Sequence, residues 1–174
     1  FSNEPVIFDS KQLPFSLEHS SLETQSLVPP EDVKVTFTAY TINNGNNTDA
    51  YIVDSESGDY KAITNSPCCY DEAEGIFPNG LYTCVEHAPS DQSAWPLIDL
   101  FKLKLDGSGE MQRLTYFTDY KGYKANQGVV SDDGKYLCFQ LGKANQEAGV
   151  GFGFFIMDLE EAAKHLEDFK TYNE

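Results

Sequence analysis

The sequence predicts an all-β fold built from a repeated unit of short antiparallel strands, closed by one short C-terminal helix. Three observations carry this reading. Apolar residues alternate with period two along much of the chain, which places them on one face of a strand. The alternating runs are separated by turns rich in Asp, Asn, Pro and Gly, residues that set or tolerate turn dihedrals. These turns recur: Asp32, Gly80 and Gly134 stand in equivalent positions, 48 and 54 residues apart.

Taken in order, Pro5–Asp9 reads as a short strand, and Gln25–Val28 as another that runs into the turn Pro29-Pro30-Glu31-Asp32. Val33–Tyr40 alternates strictly, with Val33, Val35, Phe37 and Ala39 on one face. Beyond the polar loop 41–48, Asp49–Asp54 and Tyr60–Thr64 pair across Ser55–Gly58. The second unit repeats that order. Asn65–Phe77 leads to the turn Pro78-Asn79-Gly80, followed by Leu81–Glu86, then Ile98–Leu105, the turn Asp106–Gly109, and Met111–Thr115. The third unit runs from Asn126 through the Asp132-Asp133-Gly134 hairpin to Lys135–Leu141 and Gly151–Asp158. An Asp-Gly turn between apolar runs is a strong hairpin signal, because Gly accepts the positive φ demanded there. The period then changes: Leu159, Ala162, Ala163, Leu166 and Phe169 fall at helical spacing, which predicts an amphipathic helix over 159–170.

A period near fifty residues with about four strands per unit is the pattern of β-propeller blades. The units lie at about 26–75, 76–128 and 129–158. The expectation is thus a partial or incomplete ring of four-stranded antiparallel blades, because a closed ring of six or seven needs roughly twice this length or more. The chain is expected to be a fragment of a longer propeller or to be completed by a second chain. Ser131-Asp132-Asp133-Gly134-Lys135-Tyr136-Leu137-Cys138-Phe139 resembles the Ser-Pro-Asp-Gly-Lys-x-Leu-x-Phe signature of TolB-like propellers, relatives of the WD-repeat proteins. Arg113-Leu114-Thr115 resembles that family's Arg-x-Leu-Thr, and Leu103–Gly107 and Ile156–Asp158 its next strand. Asp132 replaces the family's Pro, and Phe77–Gly80 lacks the Ser. The resemblance covers about residues 30–158 and implies the fold. It implies a binding scaffold, TolB-like and periplasmic or secreted, only at the level at which propellers share functions.

Composition narrows the function classes. Among 174 residues, 28 Asp and Glu face 12 Lys and Arg, a net charge of −16. Such a field repels phosphate backbones and anionic lipid, so no nucleic-acid partner is expected. No apolar run reaches the length of a membrane span. No Gly-x-Ser-x-Gly elbow or nucleophile–base pair stands out, and His19, His87 and His165 lack metal-binding spacing. The chain therefore reads as non-catalytic, with no cofactor expected.

The candidate sites lie where the repeat is broken. Asp71, Glu72 and Glu74 sit on the expected innermost strand of the second unit, where several carboxylates could hold Ca²⁺ or a cationic ligand. The simpler reading, which we favour, is that they bond local backbone donors and face water. The matching segment Ala125–Gly128 is neutral, so no ring of such sites is expected. Trp95 in the loop 87–97, with Tyr70 and His87, offers aromatic and imidazole groups for a protein or carbohydrate ligand. Cys68 and Cys69 could close a strained vicinal disulfide or bind a soft metal, but the poor geometry of adjacent cysteines favours two thiols, and Cys84 and Cys138 read as small apolar packing residues at one repeat position. Two further readings stay open: the propeller of a larger hydrolase, such as a prolyl-oligopeptidase-like gating domain or a polysaccharide-active enzyme, and a carbohydrate-binding propeller.

Overall fold

In a computed structural model, residues 20–41, 48–64, 66, 69–89, 97–147 and 149–172 are described. The expected strand Pro5–Asp9, Cys68 and Trp95 lie outside them. The described chain is built of strands with one helical turn. Strands β1 (Ser20–Val28), β2 (Lys34–Thr41), β3 (Thr48–Asp54) and β4 (Tyr60–Ala62) form a first antiparallel meander. A second consists of β5 (Cys69–Ile76), β6 (Tyr82–Pro89), β7 (Asp99–Lys104) and β8 (Glu110–Arg113). The third has β9 (Tyr123–Val130), β10 (Tyr136–Lys143) and β11 (Gly153–Asp158), with β11 and β9 at its edges. The strands β2, β6 and β10, each second in its meander, carry the expected offset. The sheets do not close on themselves.

The three predicted turns behave alike. Asp32, Gly80 and Gly134 all adopt positive φ, at 56°, 66° and 71°. At Gly80 the requirement is doubled, because a Cβ there would meet the carbonyl oxygen of Pro29 at 2.0 Å. The second unit's turn therefore lies backbone to backbone on the first unit's turn. First strands approach as closely: a Cβ on Gly75 of β5 would stand 2.9 Å from the Gly128 carbonyl oxygen of β9. Each first strand also slips register against its second strand, between Thr24 and Ser26, between Ala73 and Ile76, and opposite Cys138–Gln140. Such bulges free backbone groups from the ladder and re-aim them.

Alternation gives each sheet two apolar faces, and the faces of successive sheets meet. Ile52 and Val28 of the first unit pack against Val85, Phe101 and Leu103 of the second. On the opposite face of the second unit, Cys84 and Leu100 pack against Ala125, Leu137 and Phe139 of the third. Each fully buried Leu or Phe in these clusters contributes about 1.5–3 kcal/mol.

The C-terminal segment departs from expectation. The helix occupies only Leu159–Ala162 (α1), capped by the Asp158 carboxylate, which accepts from the Glu160 and Glu161 amides. Beyond it Leu166 packs against the cluster of the second and third units, and Phe169 lies 5.6 Å from the Tyr82 ring. Lys170–Thr171 (β12) then pairs with β8, adding a fifth strand to the second unit, while the third unit has three strands among the described residues. A helix through residue 170 would keep Leu166 and Phe169 on one narrow stripe. Extended chain lets them reach separate partners, and so short a helix has little intrinsic stability to set against that.

Candidate functional site

The period of two on β5 separates the three predicted carboxylates. Glu72 and Glu74 project from one face, while Asp71 projects from the other. Across the hairpin Glu86 stands opposite Glu72, and His87 opposite Asp71. The ladder thus replaces Asp71 by Glu86 in the acidic group: Glu72, Glu74 and Glu86 each place one carboxylate oxygen within 4.8 Å of the others. Glu86 is buried and the other two are half-buried.

Three units furnish this group. From the first, the Tyr40 hydroxyl reaches Glu72 and lies 2.9 Å from Glu23 Oε2. From the second, the Tyr70 hydroxyl donates to Glu72. From the third, the Gln127 amide, turned out of the β9 ladder by its φ of 56°, donates to Glu86 Oε1 at 2.6 Å. Burial pushes the carboxyl of Glu72 upward, and Glu74 is pushed up to about 7 by burial and then by the charge of Glu72. Glu86 is driven well above the carboxylate range by burial, with Glu72 and Glu74 adding like charge. A hydrogen bond between the Glu74 and Glu86 carboxyls lowers the first and raises the second. The phenols of Tyr40 and Tyr70 are raised by burial and by the neighbouring glutamates, so both remain neutral donors. Chemically this is a shared-proton carboxyl cluster that gains negative charge across neutrality.

On the opposite face, His87 Nδ1 lies 2.6 Å from Asp71 Oδ1. The ring is buried between Phe101, 4.9 Å away, and Tyr172, 5.5 Å away. Sequence placed His87 at a strand end, where a loop would begin. It instead lies inside β6, facing the core between the first two units. The Asp71 amide is held by the Thr48 hydroxyl at 2.9 Å, and Asp71 Oδ2 is buried without a hydrogen-bond partner. Tyr70 joins the carboxylates, and Trp95 lies outside the described residues. Cys69 is disulfide-bonded, which corrects its reading as a thiol, while Cys84 and Cys138 are free.

Sequence reasoning missed Glu86, Tyr40 and a repeated aspartate. Counting back across the Pro78-Asn79-Gly80 hairpin pairs Glu86 with Ala73, and only the bulge between Ala73 and Ile76 brings it opposite Glu72. Asp49 Oδ1 accepts from the Thr64 hydroxyl and the Ser66 amide. Asp99 Oδ1 accepts from the Thr115 hydroxyl and the Phe117 amide, in the same arrangement. Each threonine oxygen in turn accepts from the amide after its aspartate, Ala50 or Leu100, at 2.9 Å. The visible signal was Ile63-Thr64 recurring as Leu114-Thr115. In the second unit Arg113 adds a further hold, donating to Asp99 Oδ2 and Asp119 Oδ1 at 2.6 and 2.8 Å.

No family model matches the chain, and no curated protein does. Solved structures do. TolB of Acinetobacter baumannii superposes with a TM-score of 0.52 at 22% identity, over 75% of this chain and 28% of that one. A prolyl endopeptidase superposes with a TM-score of 0.53 at 18% identity, over 79% of this chain and 22% of the enzyme. The fold is TolB-like and propeller-like. The chain spans about a quarter of either protein's length, and no helix among the described residues is long and apolar enough to cross a membrane.

Proposed function

We infer that the chain is three successive blades of an exported, non-catalytic β-propeller that binds a protein ligand. The observation that carries this is the carboxyl cluster assembled by all three units: Glu72, Glu74 and Glu86, ringed by the neutral phenols of Tyr40 and Tyr70. A half-buried acidic group with aromatic walls suits the lysine or arginine side chain of a basic segment. The net charge of −16 favours encounter with such a partner. His87 bonds Asp71 and Arg113 bonds Asp99, each tying neighbouring strands within the second unit, which supports a scaffold over a hydrolytic centre on this chain. The disulfide at Cys69 supports an oxidising compartment, periplasmic or secreted.

Calorimetry with a Lys/Arg-rich decapeptide at pH 8 tests the reading. Binding should weaken at least tenfold in Glu72→Gln/Glu74→Gln, and should weaken from pH 8 to pH 6 as the carboxyls take up protons. Binding unchanged by the double substitution would sink it. Calcium chloride is the competing occupant and is expected to give no heat at pH 6, because burial raises all three carboxyls and Ca²⁺ needs ionised oxygens. The second reading, the propeller of a larger hydrolase, draws on the likeness to the prolyl endopeptidase. Peptidase activity of the whole gene product would favour it.

A further inference from the structure

The described chain ends by covering an edge of its own second unit. Without β12, β8 would be the outer strand of that sheet, with a row of backbone groups unpaired. Lys170 and Thr171 take up that row opposite Met111 and Glu110. The residues on either side of this short ladder grip opposite faces of the sheet. Phe169 lies 5.6 Å from the Tyr82 ring, on the face toward the third unit, and Lys104 Nζ stands 5.3 Å from the Phe169 centroid. Tyr172 meets Phe101 edge-on at 4.9 Å and His87 at 5.5 Å, on the face toward the first unit. Both seats belong to β6 and β7, whose own packing builds them. The segment that fills them is lightly held. Residues 163–168 are exposed apart from Leu166. Its ion pairs, Lys164 with Glu161 and Lys170 with Glu167, lie within the C-terminal segment itself. Beyond the ladder, Gln112 Nε2 donates to the Glu167 carbonyl oxygen at 2.7 Å, and the Ser66 hydroxyl to that of Tyr172 at 3.5 Å. So short a strand, with both side chains exposed, has little stability of its own, and the two rings hold it.

We propose that residues 166–172 are a releasable self-ligand, covering a strand-addition site on β8 that takes an extended aromatic–basic–x–aromatic segment of a protein partner. The partner's chemistry is read from the segment in place, Phe169-Lys170-Thr171-Tyr172, which sets two ladder residues between two rings. Main-chain pairing to β8 supplies affinity, and the spacing of the rings, one for each face of the sheet, selects the sequence. A basic residue between them suits a chain of net charge −16. The site shares with the reading above only that the partner is a protein. It lies at the other edge of the second unit from β5, which carries Glu72 and Glu74, so both sites can be filled at once.

Fluorescence anisotropy with a labelled peptide of the sequence of residues 165–172 tests the proposal. In the 174-residue chain, Phe169→Ser/Tyr172→Ser empties both seats without touching β6, β7 or β8. That variant should bind the peptide about tenfold or more tighter than the unaltered chain, whose own segment competes. The same two substitutions placed in the peptide should abolish its binding. Glu72→Gln/Glu74→Gln should leave peptide binding unchanged, so this proposal and the carboxyl-cluster reading fail separately. Equal affinity of the emptied and unaltered chains would overturn the proposal, because the segment would then cover nothing the peptide uses. So would a dimer of the unaltered chain in light scattering that Phe169→Ser/Tyr172→Ser abolishes, since the occupant would then be the segment of a second copy. Amide hydrogen exchange of the unaltered chain needs no variant to fold. Lys170–Tyr172 should exchange about a hundredfold faster than Thr83–His87, because the segment opens without the rest of the sheet. Equal protection of the two stretches would overturn the proposal, as would an emptied chain that unfolds, since the segment would then be part of the fold and not its ligand.

Discussion

The second and third units share strand order and turn geometry but differ wherever they meet their neighbours. In the second, Leu100 is buried and the carboxyl pair Glu72–Glu86 closes on a donor from β9. In the third, Phe154 lies open, and the corresponding cross-strand pair is Asn126–Gln140. The comparison teaches that the repeat sets where a side chain stands, while the adjoining sheet sets what it contributes. The same position is core in one unit and surface in the next, and the same ladder pair is acidic in one and neutral in the other.

The sharpest test follows from the apolar half of that difference. Leu100→Ala should cost about 3 kcal/mol, the usual loss for truncating a fully buried leucine, whereas Phe154→Ala should stay within about 0.5 kcal/mol. Urea midpoints of the two variants give the answer, and equal losses would mean the third face is covered in solution. The turns provide the next contrast. Gly80→Ala should cost about 2 kcal/mol or more, because the new methyl meets the Pro29 carbonyl as well as a left-handed φ. Gly58→Ala shares the positive φ but meets nothing within 4 Å, so about 1 kcal/mol is expected.

The acidic half predicts a pH dependence centred on the second unit. Glu74 is pushed up to about 7 in the folded chain, above its unfolded value. Between those limits the folded state binds more protons than the unfolded, so stability is full below the unfolded pKa and falls as pH rises toward and past 7. The loss from pH 5 to pH 8 should be on the order of 2 kcal/mol. Glu74→Gln should reduce the slope, the remainder coming from Glu72 and Glu86, which are raised as well, while Asn126→Asp should introduce a new slope at the third unit's equivalent position. A slope unchanged by Glu74→Gln would assign the effect elsewhere.

The difference between units also marks what the sequence could reveal. Strand positions and the three turns were legible because period two and left-handed turn residues are local properties, and Asp32, Gly80 and Gly134 share one backbone conformation. The carboxyl cluster was half legible. Glu72 and Glu74 are two residues apart and must share a face, but Glu86 enters through a bulged ladder and Tyr40 from another sheet. The helix expected over 159–170 failed because Leu166 and Phe169, correctly spaced for one helix face, find separate partners on a sheet that local pattern does not describe.

The smallest effect probes whether the first two units are independent. Asp49 with Thr64 and Asp99 with Thr115 repeat one arrangement, each threonine accepting a strand amide and donating to the aspartate. Thr64→Val and Thr115→Val keep the side-chain shape and remove only the hydroxyl, so each should cost about 1–2 kcal/mol, chiefly by stranding a buried amide. Thr115→Val should be the milder, because Arg113 and the Thr118 amide continue to hold Asp99. The two arrangements share no partner, so the double variant should lose the sum within about 0.5 kcal/mol. A larger deviation, read from denaturation midpoints, would mean that the hydrogen-bonded ends of neighbouring units are coupled through the core between them. The route available is the face where Asp71, bonded to Thr48, and His87, paired with Asp99, lie beside Phe101 and Tyr172.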